Sequence, residues 1–293
     1  MDVAVIGAGR VGTALGVKLL EAGHRIVGVS GREGTADRAA RYLPGIPVVD
    51  AADAADAADV AGLADVVLIG TPDDRIEETC ASLARAGAVG EGRHVAHLSG
   101  ATSLEALATA RSAGAEVLSI HPLQTFPDVE AALARIPGSG IAVTALTEPA
   151  HALGERLATD VGGRPFRLAD EAKPLYHAAA VFASNYLVAT TALAEELFRK
   201  AGMDHPVELF MPLQQATLEN IANMGPALAL TGPAVRGDAG TVARNLEAVA
   251  RHAPAAVLPY VAMADVALDL AERSGRLSTE ERGAVQEVLA RWR

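Results

Sequence analysis

The sequence predicts a two-domain protein, in which an α/β domain built on a mostly parallel sheet is followed by an all-α domain. In the first half, short apolar runs alternate with segments of helical periodicity, which is typical of a parallel sheet covered by helices on both faces. From Glu171 onward there is no convincing strand pattern, and helical periodicity runs through the remaining residues. The length of 293 residues leaves room for two domains. We place these domains at residues 1–168 and 169–293.

Eight apolar runs predict the strands of the first domain. They lie at residues 2–6, 24–30, 46–49, 64–70, 93–98, 115–120, 140–145 and 164–168, and the last two are expected as later edge strands. Helical periodicity between the strands predicts helices at residues 11–22, 36–42, 74–86, 103–113 and 148–161. Segment 50–59 has aspartate at every third position, which predicts a solvated surface helix.

Composition and charge exclude several classes of protein. The chain carries 25 Lys and Arg against 36 Asp and Glu, so its formal net charge of −11 argues against nucleic acid or an anionic membrane as the main partner. Cys80 is the single cysteine, which excludes an internal disulfide framework and a cysteine-rich metal site. We therefore expect a cytoplasmic protein without a metal site, and no secretory signal is visible.

The stretch 174–194 contains no Asp, Glu, Lys or Arg and has about the length of a bilayer span. Polar residues within it, such as His177, Asn185 and Thr190, would be unfavourable in a lone spanning helix. We therefore expect a helix that is buried within the protein or within a dimer, rather than in a membrane. Because the stretch is too apolar for a monomer surface, the prediction is a twofold homodimer formed through the helical domain.

A glycine-rich loop follows the first predicted strand. Residues 7–12 match the pattern GxGxxG, and here the pattern lies between a strand and a helix, which is the context of a dinucleotide-binding loop. The first glycine permits a tight turn, the second admits a pyrophosphate, and the third lets the helix approach the sheet. The predicted cofactor-binding residues of this loop are Gly7, Ala8, Gly9, Arg10, Val11 and Gly12.

Residues at the ends of other strands indicate which dinucleotide is bound. Ser30 stands where an NAD-binding domain usually has an acidic residue, and Arg32 follows it. Since a hydroxyl and a guanidinium suit a 2′-phosphate, we expect NADP(H) rather than NAD(H). Thr71, Pro72 and Ser99 follow two further strands and are expected to line the cofactor crevice, where the carboxyl ends of the strands meet.

Several of these motifs together resemble a known family. The chain is similar to Rossmann-like oxidoreductases with a DUF2520 C-terminal domain, within the 6-phosphogluconate-dehydrogenase-like superfamily, to which ketopantoate reductase and pyrroline-5-carboxylate reductase belong. The resemblance rests on residues 7–12, 98–100, 121–126, 173–185 and 231–238. It implies an NADP-binding domain, a helical domain that often dimerises, and a cleft between the two.

Three residues are candidates for catalysis. His121 ends a predicted strand on the cofactor side, where it could donate a hydrogen bond to a substrate carbonyl or a proton to the alkoxide. Lys173 and His177 are four residues apart and so share a helix face. The related dehydrogenases carry a Lys-x-x-x-Asn pair in this region, and here His177 replaces the asparagine. The sequence leaves open which of the three donates the proton.

The resemblance and the residues together predict a reductase of small carbonyl compounds. Gln124, Ser184, Asn185 and Arg236 are the candidate substrate-binding residues, with Arg236 suited to clamp a carboxylate. The leading expectation is NADPH-dependent reduction of a small 2-oxo acid or related carbonyl, with ketopantoate as the best single substrate. The alternatives are an imine reductase of the pyrroline-5-carboxylate-reductase type and a non-catalytic NADP-binding sensor or scaffold.

Overall fold

The computed structural model, which describes residues 1–50 and 54–293, divides into two compact units at Met1–Ser184 and Asn185–Arg293. The first unit contains an eight-stranded sheet. Its strands are β1 (Asp2–Ile6), β2 (Arg25–Gly31), β3 (Val48–Asp50), β4 (Val66–Ile69), β5 (His94–His97), β6 (Glu116–Pro122), β7 (Gly140–Ala145) and β8 (Arg164–Arg167). All eight predicted strands are therefore present, with ends that shift by a few residues.

The strand order β3-β2-β1-β4-β5-β6-β7-β8 places β1 in the interior of the sheet, between β2 and β4. β1 to β6 are parallel to one another, whereas β7 runs antiparallel to β6 and parallel to β8. After β1 the chain forms β2 and β3 on one side of β1, and it then crosses to form β4 on the other side. Where the strand order reverses in this way, a crevice opens at the carboxyl ends of the strands. This is the α/β architecture that the alternating pattern predicts.

Helices cover both faces of this sheet. They are α1 (Arg10–Glu21), α2 (Thr35–Tyr42), α3 (Ala54–Gly62), α4 (Ile76–Arg85), α5 (Ala108–Ser112), α6 (Val129–Arg135), α7 (Glu148–Asp160) and α8 (Lys173–Ala183). Alternate residues of β1 point into different cores: Val3 and Val5 pack with Leu15 of α1, and Ile6 packs with Leu83 of α4. A strand buried on both faces must be apolar throughout, which explains the continuous run at residues 3–6.

Two details of the first unit differ from the predictions. β7 lies in the interior of the sheet, because β8 continues beyond it and alone forms that edge. α6 is an additional helix whose seven residues are too few for a clear periodic pattern. Of the aspartate-rich segment, α3 carries residues 54–59, while residues 51–53 lie outside the described part of the chain.

The division between the units falls 16 residues after the predicted boundary at 168/169. The sheet does end there, since β8 stops at Arg167. However, α8 belongs to the first unit, because Lys173 at its start is buried and hydrogen-bonded to residues that follow or lie within β5 and β6. The sequence shows where the strands end. The long-range hydrogen bonds that anchor Lys173 leave no local pattern in it.

The second unit is helical, as predicted. It contains α9 (Asn185–Lys200), α10 (Pro206–Ala229), α11 (Ala239–His252), α12 (Val257–Arg273) and α13 (Thr279–Ala290). Its core lies among the last three helices and includes Leu246, Leu268 and Val285. Among the described residues, one helical stretch, Pro254–Arg273, is long and apolar enough to cross a membrane by length and composition. Leu268, within this stretch, is fully buried in the core of the unit.

The uncharged stretch 174–194 forms two helices rather than the single helix predicted, because the backbone leaves the helical region at Ser184 (φ −127°, ψ −66°). No glycine or proline marks that break. The stretch is also not buried within the chain: Leu175 is 77% exposed and Val188 69% exposed. Of the two expected ways to bury this stretch, burial within each unit is therefore not observed.

Candidate functional site

The glycine loop closes tightly over the end of β4. Gly7 adopts φ +94°, and a Cβ there would lie 2.5 Å from the Thr71 nitrogen. A Cβ on Gly12 would lie 2.8 Å from the Gly7 oxygen. The backbone nitrogens of Gly7 and Ala8 both donate to the Ser30 oxygen, at 2.8 and 2.7 Å, which fixes the loop against β2. The loop is thus locked in place by contacts that only glycine permits at two positions.

The start of α1 is open to a ligand. Gly9 is the N-cap residue and no side chain caps the helix, while a Cβ added to Gly9 would meet nothing within 4 Å. The first backbone N–H groups of a helix have no partner within the helix and lie at its positive dipole end. This cradle fits a pyrophosphate. Arg10 is exposed at the first position of α1, whereas Ala8 is buried and contributes its backbone.

A first cavity, of about 330 Å³, lies on one side of the loop. Ser30, Arg32 and Thr71 line it, as the sequence predicts, together with Arg75 and Thr79. The hydroxyl groups of Ser30 and Thr71 are buried and have no hydrogen-bond partner in the described part of the chain. Since buried polar groups are nearly always paired, these two hydroxyls are suited to a polar ligand in the cavity.

Two basic residues near this cavity were missed by sequence reasoning. Arg75 lies in the turn after β4, and Arg38 of α2 donates to the Ala8 oxygen and to Thr35 Oγ1 at 2.9 Å. Arg38 thereby links α2 to the glycine loop. The sequence offers one signal for Arg38. It lies four residues after Gly34, in the first turns of the helix that follows the second strand.

A second cavity, of about 210 Å³, lies on the other side of Thr71. It is lined by Val11, Gly70, Thr71, Asp73, Leu98, Ser99, His121, Pro122, Gln124 and Phe126. The predicted residues Thr71, Ser99, His121 and Gln124 therefore come together. Pro72 is not among the lining residues of either cavity; it begins the short turn that carries Asp73.

Asp73 and Ser99 form a hydrogen-bonded pair in the second cavity. Ser99 Oγ donates to Asp73 Oδ2 at 2.8 Å and accepts from the nitrogens of Ala101 and Thr102. Asp73 does not cap a helix, since no capping hydrogen bond is formed by a side chain at the start of this turn or of α4. The carboxylate instead contributes negative charge beside the cavity.

His121 is held by two neighbours. Its Nδ1 lies 2.9 Å from the Tyr176 hydroxyl oxygen, and the two rings meet edge to face at 5.7 Å. The ring lies so close to Gly100 that a Cβ there would be 2.7 Å from it. Burial, with the nearby Lys173 ammonium as the next cause, lowers the pKa of His121 to about 4. The imidazole is therefore neutral at pH 7 and donates through an uncharged N–H.

Lys173 is a buried anchor rather than a surface residue. It is 1% exposed, and its Nζ donates to the Ser119 hydroxyl at 2.7 Å and to the Ser99 oxygen at 3.0 Å. Burial lowers its pKa to about 8, against the opposing effect of Asp170 and Asp73. Lys173 is not among the residues that line the second cavity, so it places a positive charge behind the cavity wall.

The other predicted residues do not join this group within the first unit. His177 is exposed on α8, and Ser184 ends that helix. Asn185 begins α9 and Arg236 lies exposed in a short turn before α11, both in the second unit. Asp238 caps α11 by accepting from the Thr241 nitrogen at 2.9 Å.

Two family models match the chain. A Rossmann-like domain matches residues 1–122, and a domain of unknown function, DUF2520, matches residues 139–267. The chain joins a Rossmann-like domain to a DUF2520 domain. This pairing confirms the two-domain resemblance expected from the sequence. The DUF2520 match begins before β7, so it includes the last two strands as well as the helical region.

Solved structures share the fold of this chain. A proposed NADP oxidoreductase from Bacteroides fragilis is 22% identical, with a TM-score of 0.72 over 92% of this chain and 98% of its own. A protein from Thermotoga maritima is 24% identical, with a TM-score of 0.69 over the same shares. An imine reductase from Myxococcus stipitatus in complex with NADP+ is 16% identical, with a TM-score of 0.63 over 100% and 99%. At these identities the likeness shows the fold alone. None of the curated proteins matches this chain in sequence.

Acid should destabilise the protein through His97, the last residue of β5. His97 is fully buried, its Nδ1 accepts from the Ser99 nitrogen, and burial lowers its pKa from 6.5 to about 3. The unfolded chain therefore binds the proton first as the pH falls, so stability is lost below about pH 6.5. Between pH 7 and pH 5 this one group should reduce the unfolding free energy by about 2 kcal/mol.

Urea unfolding of wild type and His97→Gln at the two pH values measures this effect. The loss on acidification should be smaller in His97→Gln by about 2 kcal/mol. His252→Gln, at the exposed end of α11, is the matched control and should behave as wild type. Equal acid losses in wild type and His97→Gln would show that His97 is not the buried neutral group described.

Proposed function

We propose that the chain is an NADPH-dependent oxidoreductase that reduces a small 2-oxo acid or related carbonyl compound, with ketopantoate as the leading single substrate. The observation that carries the proposal is the pair of cavities that meet at Thr71, beside an open helix N-terminus, with His121 lining the second cavity. The arrangement provides one place for a phosphate-bearing half of a dinucleotide and another for its reactive half.

The chain's own residues would hold NADPH as follows. The N-terminus of α1, with Arg10 and Gly9, would bind the pyrophosphate. Arg32 and Ser30 would bind the 2′-phosphate in the first cavity, since a guanidinium forms charge-assisted hydrogen bonds with phosphate. Thr71 and Ser99 would contact the other end of the cofactor. When bound there, NADPH supplies the hydride.

The protein's part in the reaction is to orient the carbonyl and supply a proton. His121 would donate a hydrogen bond to the substrate oxygen from the wall of the second cavity. Lys173 would act from behind the wall, by fixing Ser99 and Ser119. His177, Gln124, Ser184, Asn185 and Arg236 remain candidate substrate contacts, with Arg236 as the carboxylate anchor.

A second reaction, imine reduction, is favoured by one specific feature. Asp73 brings a carboxylate to the second cavity, and the neutral His121 adds no positive charge. A protonated imine is a cation and would be attracted by Asp73, whereas a 2-oxo acid anion would be repelled unless Arg236 compensates. The fold shared with an imine reductase is compatible with this alternative.

The test is NADPH oxidation by the purified protein against a panel of 2-oxo acids, including ketopantoate, and cyclic imines. Turnover of 2-oxo acids supports the leading proposal, and turnover of imines alone supports the second. NADPH binding without turnover of any compound would favour the third alternative, a non-catalytic NADP-binding sensor or scaffold. Failure to bind NADPH would contradict all three.

Cofactor preference tests the role of Arg32. Replacing Arg32 by alanine should weaken NADPH binding by about 1.5–3 kcal/mol, the range for hydrogen bonds to charged groups, which is about 10- to 150-fold. NADH lacks the 2′-phosphate, so its affinity should hardly change. Arg41→Ala removes an exposed arginine that pairs with Glu130 and is the control. An equal loss for both cofactors in calorimetric titration would remove Arg32 from the 2′-phosphate site.

A homodimer is the proposed assembly, and exposed apolar side chains on the helices support it. Leu213 of α10 is 66% exposed and Val188 of α9 is 69% exposed. Sedimentation at micromolar concentration should give a dimer, and Val188→Asp should shift it toward monomer because a carboxylate would be buried without a partner. Leu63→Asp, at a side chain 65% exposed in the first unit, should leave the dimer intact. A wild-type monomer would contradict the assembly.

A further inference from the structure

Tyr176 forms a hydrogen bond with the imidazole of His121. Tyr176 Oη and His121 Nδ1 are 2.9 Å apart, and no other hydrogen bond of this hydroxyl is found in the described part of the chain. A neutral imidazole has one acceptor nitrogen and one N–H. If Nδ1 accepts the hydroxyl proton, the N–H must be at Nε2, and His121 can donate only from that nitrogen.

The surroundings of His121 favour this arrangement over a charged imidazolium. The charged or titratable groups near it are Lys173, His177 and Tyr176 from α8, Asp73 from the turn after β4, and His97 at the end of β5. The Lys173 ammonium is buried nearby, and like charges repel strongly in a poorly solvated site. Gly100 presses against the ring face, so the imidazole has little freedom to turn.

We propose that Tyr176 is a positioning residue that fixes His121 in the Nε2–H tautomer and relays a proton through it to the reduced substrate. The relay rests on the proposed reductase function, whereas the tautomer assignment does not. Tyr176 does not line the second cavity, so it acts through His121, which does. Tyr176 is thus a further functional residue beside His121, Lys173 and His177, the three catalytic candidates from the sequence.

The proton transfer balances without a further reactant. As the substrate oxygen becomes an alkoxide, its bond to the Nε2 proton forms and the Nε2–H bond breaks. The Tyr176 O–H bond breaks and a new N–H bond forms at Nδ1. The cycle closes when Nε2 takes a proton from solvent water and the Nδ1 proton returns to the tyrosinate, which restores both the Nε2–H tautomer and the Tyr176 hydroxyl. Transfer is favourable because an alkoxide is a much stronger base than a tyrosinate, even where burial raises the pKa of Tyr176 to about 12.

The tautomer of His121 can be determined without any substrate. Nitrogen-15 NMR of the histidine side chains distinguishes the Nε2–H from the Nδ1–H form, and His121→Gln identifies the His121 signals by their loss. Wild type should show the Nε2–H form at pH 7. Tyr176→Phe removes only the hydroxyl and keeps the ring that packs on His121, and it should populate the Nδ1–H form. Tyr260→Phe, whose hydroxyl accepts from Asn245 in the second unit, is the control.

Kinetics on a verified substrate test the relay. Tyr176→Phe should lower turnover by about 10²-fold or more, the low end of the general-acid range, with unchanged NADPH affinity. Wild-type turnover should be flat between about pH 5.5 and pH 7.5, because a neutral donor does not titrate near 6.5. A wild-type Nδ1–H tautomer, an unchanged tautomer in Tyr176→Phe, or a turnover that falls through pH 6.5 would each overturn the proposal. If the panel yields no substrate, the reductase function fails while the tautomer result still decides the role of Tyr176.

Discussion

Replacing His121 by alanine should lower turnover by about 10²–10⁴-fold, which is the usual contribution of a general acid or a positioned donor. The physical reason is that His121 lines the second cavity and holds the only imidazole there among the described lining residues. NADPH affinity should barely change, because His121 lies apart from the glycine loop and the first cavity. Steady-state kinetics and cofactor titration of the same preparation measure both quantities.

The control is His252→Ala, which removes an exposed histidine at the end of α11. Its turnover should equal that of wild type. Thermal unfolding of both variants separates a loss of chemistry from a loss of fold. Unchanged turnover in His121→Ala on a verified substrate would refute the role of His121, and Lys173 would become the leading candidate for the proton donor.

Substitutions in the glycine loop should separate folding from cofactor binding. Gly7→Ala should abolish measurable NADPH binding and lower the unfolding free energy by about 2–4 kcal/mol. The new methyl would lie 2.5 Å from the Thr71 nitrogen, at a φ of +94° that alanine rarely adopts. Urea unfolding and calorimetric titration measure the two effects.

Gly9→Ala is the informative comparison. A Cβ at Gly9 meets nothing within 4 Å, so stability should stay within about 0.5 kcal/mol of wild type. The same methyl would stand where a pyrophosphate approaches the backbone, so NADPH binding should weaken by about tenfold or more. Full NADPH affinity in Gly9→Ala would argue that the start of α1 is not the phosphate site.

Local patterns in the sequence predict most of the first unit. Six of the eight strands are mostly buried, and strands buried on both faces show no polar alternation. The edge strands β3 and β8 are largely exposed. The meeting of Thr71, Ser99 and His121 follows from strand order, since the carboxyl ends of parallel strands lie at one edge of the sheet. The GxGxxG pattern between a strand and a helix locates the glycine loop at this same edge of the sheet.

Features that depend on distant contacts could not be predicted. The direction of β7 is set by packing against β6 rather than by its own residues. The burial of Lys173, and with it the late boundary at Ser184, depends on Ser99 and Ser119, far away in the sequence. Tyr176 lies three residues after Lys173 on the same helix face, and that spacing was the available signal.

The central claim is that NADPH binds across the glycine loop with its reactive end beside His121. A crystal structure of the protein with bound NADPH tests this claim most directly. We expect the pyrophosphate at the N-terminus of α1 and the nicotinamide in the second cavity, near Thr71, Ser99 and His121. In that arrangement His121 would hydrogen-bond to a substrate on the nicotinamide, either directly or through one water. A nicotinamide more than about 10 Å from His121, beyond that reach, would contradict the account.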